Sequence, residues 1–240
     1  MTYKDTIPLD NYWNTDTSLP TNIHRGKYIA INGNTAAGKS TIINAVRSLS
    51  KDLMVQLMCI NERVLHHPLM KLQFDKPKDY AYLLQLNFMI QRRLLLKRWL
   101  EMGYHVVVER CHLDDRMFMD HLLQQDYITI AAYEAFSLLG QTNEFQLPDP
   151  DYYIFLDVPT DIALSRLQSS ETSKERPKEF ADKQTQKQLI EKWNKMYAHY
   201  YERLLNEKRK GIHCKQTTFL KWSALQDTHQ MAKQILSFLF

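Results

Sequence analysis

The sequence "KYIAINGNTAAGKSTIINAVRSL" (Lys27–Leu49) joins an apolar strand to a helix through a glycine-rich loop. The loop "GNTAAGKS" fits the pattern G-x-x-x-x-G-K-[ST], which binds phosphate when it lies between a strand and a helix. Its N–H groups and the helix N-terminus direct positive ends towards the phosphate. Lys39 adds a charge near the β- and γ-phosphates, and Ser40 is placed to ligate Mg²⁺. We therefore predict that ATP or another nucleoside triphosphate contacts Gly33, Asn34, Thr35, Ala36, Ala37, Gly38, Lys39, Ser40 and Thr41.

Apolar strands alternate with helical patterns along the whole chain, which indicates a parallel sheet covered by helices on both faces. The predicted strands are Lys27–Gly33, Leu53–Ile60, His105–Glu109, Asp151–Val158 and Thr217–Leu220. The predicted helices after the loop are Asp79–Met102, Cys111–Gln124, Ile128–Leu139, Thr160–Leu167, a long one ending near Lys208, and the C-terminal tail. The expected fold is an α/β P-loop fold with a five-stranded parallel sheet.

Composition places the chain among ordinary soluble proteins, with 44% hydrophobic and 24% charged residues in a length of 240. The net charge of +4 suits an anionic ligand but does not demand nucleic acid. The three cysteines are too few for a disulfide framework or a zinc site, which favours a reduced, cytoplasmic protein. No apolar run approaches the roughly 20 residues of a membrane span. We expect a polar arm over 1–26 and a single domain over 27–240.

The stretch "VVVERCHLDDR" (Val106–Arg116) passes abruptly from an apolar strand to a cluster of charges. Ligands of parallel sheets bind at the carboxyl ends of the strands, so Glu109 and Glu62, which end two strands, are expected to border the phosphate loop. One carboxylate can accept a proton from an attacking hydroxyl and the other can hold Mg²⁺, while an arginine offsets phosphoryl charge. The alternative for Glu109–Arg110 is a surface ion pair.

A phosphate-binding loop by itself also serves GTPases, motor ATPases and nucleotide-sensing regulators. No N-K-x-D-type guanine signature is visible in the chain. Asp157 could pass for a Walker-B acid, but "PTDIALSRL" follows it, which is a strand-to-helix pattern leading to a short basic lid over about 168–180.

Three blocks of sequence resemble the deoxynucleoside kinases, the group that includes deoxycytidine, deoxyguanosine and insect multisubstrate deoxynucleoside kinases. The first block is the phosphate loop. The second, "FDKPKDYAYLLQLNFMIQR", is similar to the family's aromatic-x-x-P-x-x-W-x-x-x-x-Q block followed by an arginine seven residues later. The third, "VVVERCHLDDR", matches E-R-S-x-x-S-D-R with its spacing intact. The resemblance spans roughly 27–205 and implies phosphorylation of a deoxynucleoside 5′-hydroxyl in nucleotide salvage, with ATP and Mg²⁺.

The resemblance also implies roles for the catalytic positions. Glu62 falls where the family has its general base, although Arg63 replaces the family's usual proline after it. Arg110 matches the arginine near the 5′-hydroxyl, and Glu109 matches the acid associated with the metal. Asp114 is read as a solvated residue or a helix cap, and Arg116 as an anchor for its loop.

The base-reading positions implied by the resemblance are Gln85, whose amide offers a donor and an acceptor, and the charged pair Arg92 and Asp115. Phe88 lies one helical turn before Arg92 and is expected to narrow the base pocket. Without the resemblance, Gln85 and Arg92 share a helix face that would be interpreted as solvated. An exocyclic amine suits this set, so deoxycytidine or a purine deoxynucleoside is preferred over thymidine.

The lid "KERPKE" (Lys174–Glu179) resembles R-x-R-x-x-E with lysine replacing the first arginine. Arg176 would then contact phosphate, Glu179 would accept from the sugar 3′-hydroxyl, and Arg166 would lie near the nucleotide. Phe74 occupies a position at which many members have a tyrosine that binds the same sugar oxygen.

Two alternatives to a deoxynucleoside kinase remain open at this stage, a nucleoside monophosphate kinase of the thymidylate type and a non-catalytic nucleotide-binding regulator. As in the family, we expect a homodimer through the Cys111–Gln124 and Ile128–Leu139 helices, with ordinary core packing as the alternative. The apolar residues considered for that interface are Met117, Phe118, Met119, Tyr133 and Phe136.

Overall fold

The computed structural model describes residues 25–62, 69–173 and 182–240. Five strands form one sheet in the order β2-β3-β1-β4-β5, and every neighbouring pair is parallel. The strands are β1 (Tyr28–Gly33), β2 (Leu57–Ile60), β3 (His105–Glu109), β4 (Tyr152–Asp157) and β5 (Thr218–Ser223). The predicted five-stranded parallel sheet is therefore confirmed. Its central strand, β1, leads directly into the phosphate-binding loop.

Eight helices surround this sheet in the described part of the chain. They are α1 (Lys39–Leu49), α2 (Leu69–Asp75), α3 (Pro77–Glu101), α4 (His112–Gln124), α5 (Ile130–Gln141), α6 (Thr160–Thr172), α7 (Lys183–Arg209) and α8 (Thr228–Ser237). Within the same ranges, no helix combines the length and the apolar character needed to cross a membrane.

Strand alternation divides the apolar residues between the two faces of the sheet, because successive side chains point in opposite directions. On one face, Ile29 and Ile31 pack in a core with residues of α1, α6 and α8. On the other, Tyr28 and Ala30 pack in a core with residues of α3, α4 and α7. The sheet is thus covered on both sides, which holds the carboxyl ends of its central strands in fixed positions.

The boundaries of several elements differ from the sequence-based expectation. Strand β2 starts at Leu57 rather than Leu53, and Met54 in the preceding turn is fully exposed. Strand β5 extends past Leu220 to Ser223, because it pairs with β4 along its whole length. The sequence also gave no sign of the short helix α2. Long-range pairing and packing decide these ends, and local periodicity does not record them.

Candidate active site

The phosphate loop follows β1 in a conformation that its glycines permit. Gly33 has φ of 138°, and a Cβ there would lie 2.6 Å from the carbonyl oxygen of Leu156. Gly38, at the N-cap of α1, has φ of 96°, which L-residues rarely adopt. The loop can therefore turn tightly against β4 and present its N–H groups at the start of α1.

Lys39 is buried at the start of α1 and folds back over the loop. Its Nζ donates to the carbonyl oxygens of Gly33 at 3.0 Å and Asn34 at 2.7 Å. The same Nζ lies 3.6 Å from Oε1 of Glu109. The ammonium group is thus held inside the loop, where a bound phosphate would also lie.

Ser40 and Glu109 bring two oxygen ligands together at the helix N-terminus. The Ser40 hydroxyl donates to Oε2 of Glu109 at 2.7 Å, and the backbone N–H of Glu62 donates to the same oxygen at 3.4 Å. Mg²⁺ prefers oxygen ligands, such as hydroxyl and carboxylate groups. It usually binds one or two protein ligands together with substrate phosphates. The pair therefore fits the metal that the sequence predicts.

Glu62 and Arg110 form a buried ion pair next to this oxygen pair, through guanidinium NH1 and Oε2. Burial raises the pKa of Glu62, but the charges of Arg110 and Lys39 outweigh it, and the pKa lies below the ordinary 4.5. Burial lowers the pKa of Arg110, whereas Glu62 raises it, so the guanidinium stays charged. The alternative, a surface ion pair between Glu109 and Arg110, is wrong, because each is paired with a different residue.

Arg110 is held by its backbone and by two aromatic rings. Its φ of 60° lies in the left-handed region, which costs a residue with a side chain roughly 1–3 kcal/mol. Its Nε donates to the hydroxyl of Tyr197 at 2.9 Å, and its guanidinium carbon lies 5.4 Å from the ring centre of Phe118. A fixed guanidinium is what a phosphoryl-transfer site requires.

The face of α3 that carries Gln85, Phe88 and Arg92 is buried, with 8%, 5% and 3% of their surfaces exposed. The solvated-face interpretation of this helix is therefore wrong. The charge of Arg92 contributes to lowering the pKa of Glu62, so the two groups lie within electrostatic reach. Arg92 also donates NH1 to the carbonyl oxygen of Cys111 at 3.3 Å, and Cys111 directly follows Arg110. The α3 face therefore lies close to the Glu62–Arg110 pair.

Asp115, in the first turn of α4, lies between two arginines of α3. Arg92 donates NH1 to Oδ1 of Asp115, and NH2 of Arg93 lies 3.8 Å from Oδ2. Oδ2 is buried and accepts no hydrogen bond from the described residues. A buried carboxylate oxygen without a donor is costly, which makes it a natural acceptor for a ligand N–H group.

Of the two interpretations of Asp114, the helix cap is correct, and Arg116 anchors helix α4 rather than a loop. Asp114 is fully buried, so it is not solvated. It is a helix cap, accepting from the backbone N–H of Cys111 at 2.8 Å, and it also accepts from the Tyr153 hydroxyl at 2.7 Å. Arg116 contacts Oε1 of Glu207 in α7 at 3.2 Å. Both side chains fix α4 against its neighbours.

Arg166, in α6, contacts the phosphate loop. It donates NH1 to the carbonyl oxygen of Ala37 at 3.4 Å and NH2 to that of Ala224 at 3.0 Å. Arg166 therefore lies beside the loop, and its contact with a nucleotide stays a prediction.

Three predicted site residues lie outside the described part of the structure. They are Arg176, Glu179 and the side chain of Phe74, whose backbone belongs to α2. The predicted lid over 168–180 is described only to Ser173, and residues 168–172 are the last turns of α6. The described portion of the predicted arm is limited to Arg25 and Gly26.

Sequence reasoning missed Arg93, Asn194 and Tyr197, which contact the predicted site residues. Arg93 follows Arg92 in a buried part of α3 and donates to the carbonyl oxygens of Gly140 and Phe145. Asn194 is a polar residue at helical spacing with buried Ile190 and Tyr197. A polar residue within an apolar stripe was the signal available for Asn194; no comparable signal distinguished Tyr197 from core aromatics.

Comparison with known proteins gives a family and a fold. The family model described as deoxynucleoside kinase matches residues 29–236. A structure of deoxyadenosine kinase from M. mycoides with bound dCTP superposes with a TM-score of 0.63 at 23% identity, covering 88% of this chain and 97% of that one. The same enzyme with the products dCMP and dCDP gives 0.64 at 23% and the same coverage. With dATP bound it gives 0.59 at 21%, again with 88% and 97% covered. No curated protein matches the chain.

Proposed function

The chain belongs to the deoxynucleoside kinase family, and on that premise we propose that it transfers a phosphoryl group from ATP or another nucleoside triphosphate to the 5′-hydroxyl of a deoxynucleoside in nucleotide salvage. The observation that carries this proposal is the buried Glu62–Arg110 pair beside Lys39 and Glu109. Simple nucleotide sensing needs a phosphate loop but requires no carboxylate poised as a base.

Glu62 is the proposed general base for the 5′-hydroxyl. Its lowered pKa keeps it ionised at neutral pH, so that it can accept a proton. Arg110 holds the carboxylate on one side and offers positive charge to the transferring phosphoryl group. Both side chains are mostly buried, which strengthens their electrostatic effect.

The donor phosphates are proposed to bind the N–H groups of the loop from Gly33 to Thr41 and the ammonium group of Lys39. Ser40 and Glu109 would hold Mg²⁺, which neutralises phosphate charge when bound. Arg166 lies against Ala37 of the loop and is proposed to contact the donor nucleotide. Arg176 is proposed to contact phosphate, on the strength of the sequence block alone.

The deoxynucleoside base is proposed to lie against Gln85, Phe88 and the Arg92–Asp115 pair. Oδ2 of Asp115 can accept from an exocyclic amine, which cytosine, adenine and guanine carry and thymine lacks. The similarity of the fold to a deoxyadenosine kinase is compatible with such a base. Phe74 and Glu179 are proposed to lie near the sugar, again from the sequence blocks.

We also propose that the cytoplasmic enzyme has one domain over 27–240, a polar arm over 1–26, and a homodimeric state. Met117, Met119 and Phe136 are core residues of the single chain, so they are not available to an interface. Helix α5 instead leaves Ile130 and Leu138 about two-thirds exposed, 66% and 65%. An exposed apolar helix face of this kind suits contact with a second copy.

The test is a product assay with purified protein, ATP–Mg²⁺, and a panel of nucleosides and nucleoside monophosphates. We expect 5′-monophosphates from deoxycytidine, deoxyadenosine or deoxyguanosine. Formation of diphosphates from thymidylate or another monophosphate, without nucleoside phosphorylation, would support the thymidylate-type alternative. Donor binding without any product would support the regulatory alternative.

A further inference from the structure

Helix α7 places two polar side chains, Asn194 and Tyr197, on the face that it turns towards the sheet. Ile190, Tyr201 and Leu204 lie on the same face and are almost fully buried. Asn194 and Tyr197 are three residues apart, so they are neighbours on the helix surface. Each contacts a different half of the candidate active site. The donor half is the phosphate loop, and the acceptor half is the Arg110–Glu62 pair.

Asn194 contacts the donor half. Its Oδ1 accepts from Nδ2 of Asn34 in the phosphate loop at 2.5 Å, and Nδ2 of Asn34 also donates to the carbonyl oxygen of Ile190 at 2.9 Å. Nδ2 of Asn194 donates to Thr160 Oγ1 at 2.9 Å and to the carbonyl oxygen of Val158 at 3.2 Å. Asn194 therefore ties the loop to the start of α6.

The Asn34 side chain is in turn part of the loop's own structure. Its Oδ1 accepts the backbone N–H of Thr35 at 2.7 Å, and its carbonyl oxygen accepts from Lys39 Nζ at 2.7 Å. A displacement of Asn34 would thus move both the loop backbone and the lysine that face a donor phosphate.

Tyr197 contacts the acceptor half. Its hydroxyl accepts from Nε of Arg110 at 2.9 Å, and its ring centre lies 5.9 Å from the guanidinium carbon. With Nε occupied, NH1 of Arg110 is aimed at Glu62. The tyrosine is 2% exposed and cannot easily be replaced in this role by water.

We propose that Asn194 and Tyr197 are positioning residues that set the separation between the phosphate loop and the Arg110–Glu62 pair through one turn of helix α7. The inference rests on the proposed function. Phosphoryl transfer depends on the distance between donor phosphate and acceptor hydroxyl, and a misplacement of about 1 Å can cost about 10²-fold in rate. One helix contacts both the loop and the ion pair, so a displacement of α7 would move both.

The first test uses Tyr197→Phe, which removes only the hydroxyl, with Tyr201→Phe on the same helix as the matched control. We expect kcat of Tyr197→Phe to fall by about tenfold or more, within the roughly 10²-fold range of misplaced groups. Its KM for the nucleoside should change little. A purely structural role would lower the melting temperature without this split between kcat and KM.

The second test uses Asn194→Ala and the milder Asn194→Ser, with donor affinity measured by calorimetry with ATP–Mg²⁺ and no acceptor. We expect a several-fold loss of donor affinity in the Asn194 variants and none in Tyr197→Phe. Circular dichroism on the same samples verifies that each variant is folded. If Asn194→Ala fails to fold, Asn194→Ser carries the comparison.

Two results would overturn the inference. One is unchanged donor affinity in folded Asn194 variants, and the other is a Tyr197→Phe enzyme whose kcat matches that of Tyr201→Phe. Failure of the proposed function looks different. In that case the wild-type chain binds ATP–Mg²⁺ but phosphorylates no nucleoside, while the calorimetric comparison of the Asn194 variants still decides the donor half of the inference.

Discussion

The carboxylate of Glu62 accepts a hydrogen bond from the guanidinium group of Arg110, and the two residues stand 48 positions apart in the chain. Glu62 lies two residues beyond β2 and Arg110 directly follows β3, so the adjacency of these strands creates the pair. Both side chains are about one-tenth exposed. The pair therefore combines an ionised carboxylate with a fixed cation at the edge of the sheet where ligands bind.

Replacing Glu62 with glutamine keeps the size of the side chain but removes the base. We expect kcat to fall by about 10²- to 10⁴-fold, the usual contribution of a general base. Nucleoside affinity, measured by calorimetry, should change little, because the amide still hydrogen-bonds Arg110. Near wild-type turnover at neutral pH would show that Glu62 is not the base.

The lowered pKa of Glu62 predicts the pH dependence of the reaction. Since the base must be ionised, we expect the acid limb of the pH–kcat profile below the ordinary 4.5 of a glutamate. The variant Arg110→Met removes the positive charge that lowers the pKa of Glu62. Burial, which raises this pKa, is then less opposed, so the pKa should increase. The residual activity of this variant should therefore show its acid limb at higher pH.

A direct NMR titration of the Glu62 carboxylate provides the independent measurement. In the wild-type protein the lowered pKa stabilises the folded state above pH 4.5, and this contribution is lost as the pH falls through the folded-state pKa. Equal titration midpoints in wild type and Arg110→Met would contradict the assignment of Arg110 as the main opposing charge.

Selection against thymidine is expected to depend on Asp115. Thymine would leave the buried Oδ2 without a donor, at a cost of about 1–3 kcal/mol, or several-fold to about a hundredfold in kcat/KM. The double variant Arg92→Met, Asp115→Ala removes both charges and should relax this exclusion. Steady-state kinetics on the four deoxynucleosides test it, and a wild-type preference for thymidine or an equally selective double variant would refute these roles.

Asp114 is expected to matter for stability. Asp114→Ala would leave the Cys111 N–H and the Tyr153 hydroxyl buried without an acceptor, lowering the free energy of unfolding by about 2 kcal/mol or more. Burial raises the pKa of Asp114, so the neutral Asp114→Asn should lose less. Urea unfolding measures the free energy of unfolding of both Asp114 variants. The control is Asp52→Ala at an exposed position, whose free energy of unfolding should stay within about 0.5 kcal/mol of the wild-type value. Equal losses in Asp114→Ala and Asp52→Ala would show that the buried contacts contribute little.

The exposed face of α5 predicts the oligomeric state. We expect a dimeric mass for the wild-type protein by light scattering at micromolar concentration. The double variant Ile130→Glu, Leu138→Glu should give half that mass, whereas Met54→Glu, at a fully exposed position elsewhere, should remain dimeric. A monomeric wild-type protein would exclude the dimer, and an unaffected double variant would exclude this face.

The sequence by itself determined the order of strands and helices apart from the short helix α2. It also determined the phosphate loop and the positions of Glu62, Glu109, Arg110 and Asp115 at strand and helix ends. These features depend on residues close together in the chain, such as the alternation in β1 and the glycines that allow the turn before Lys39. Local patterns record them because local sterics and hydrogen bonding cause them.

Only the tertiary structure decided which charged residues form pairs with each other. Glu109 pairs with Lys39 and Ser40 rather than Arg110, because β1 and β3 are neighbours in the sheet. The contacts of α7 with Asn34 and Arg110 span 160 and 87 residues. Residues so distant in the chain are brought together because the apolar faces on both sides of the sheet are buried. The periodicity of one segment shows which of its faces is buried, but it does not identify the segment that packs against that face.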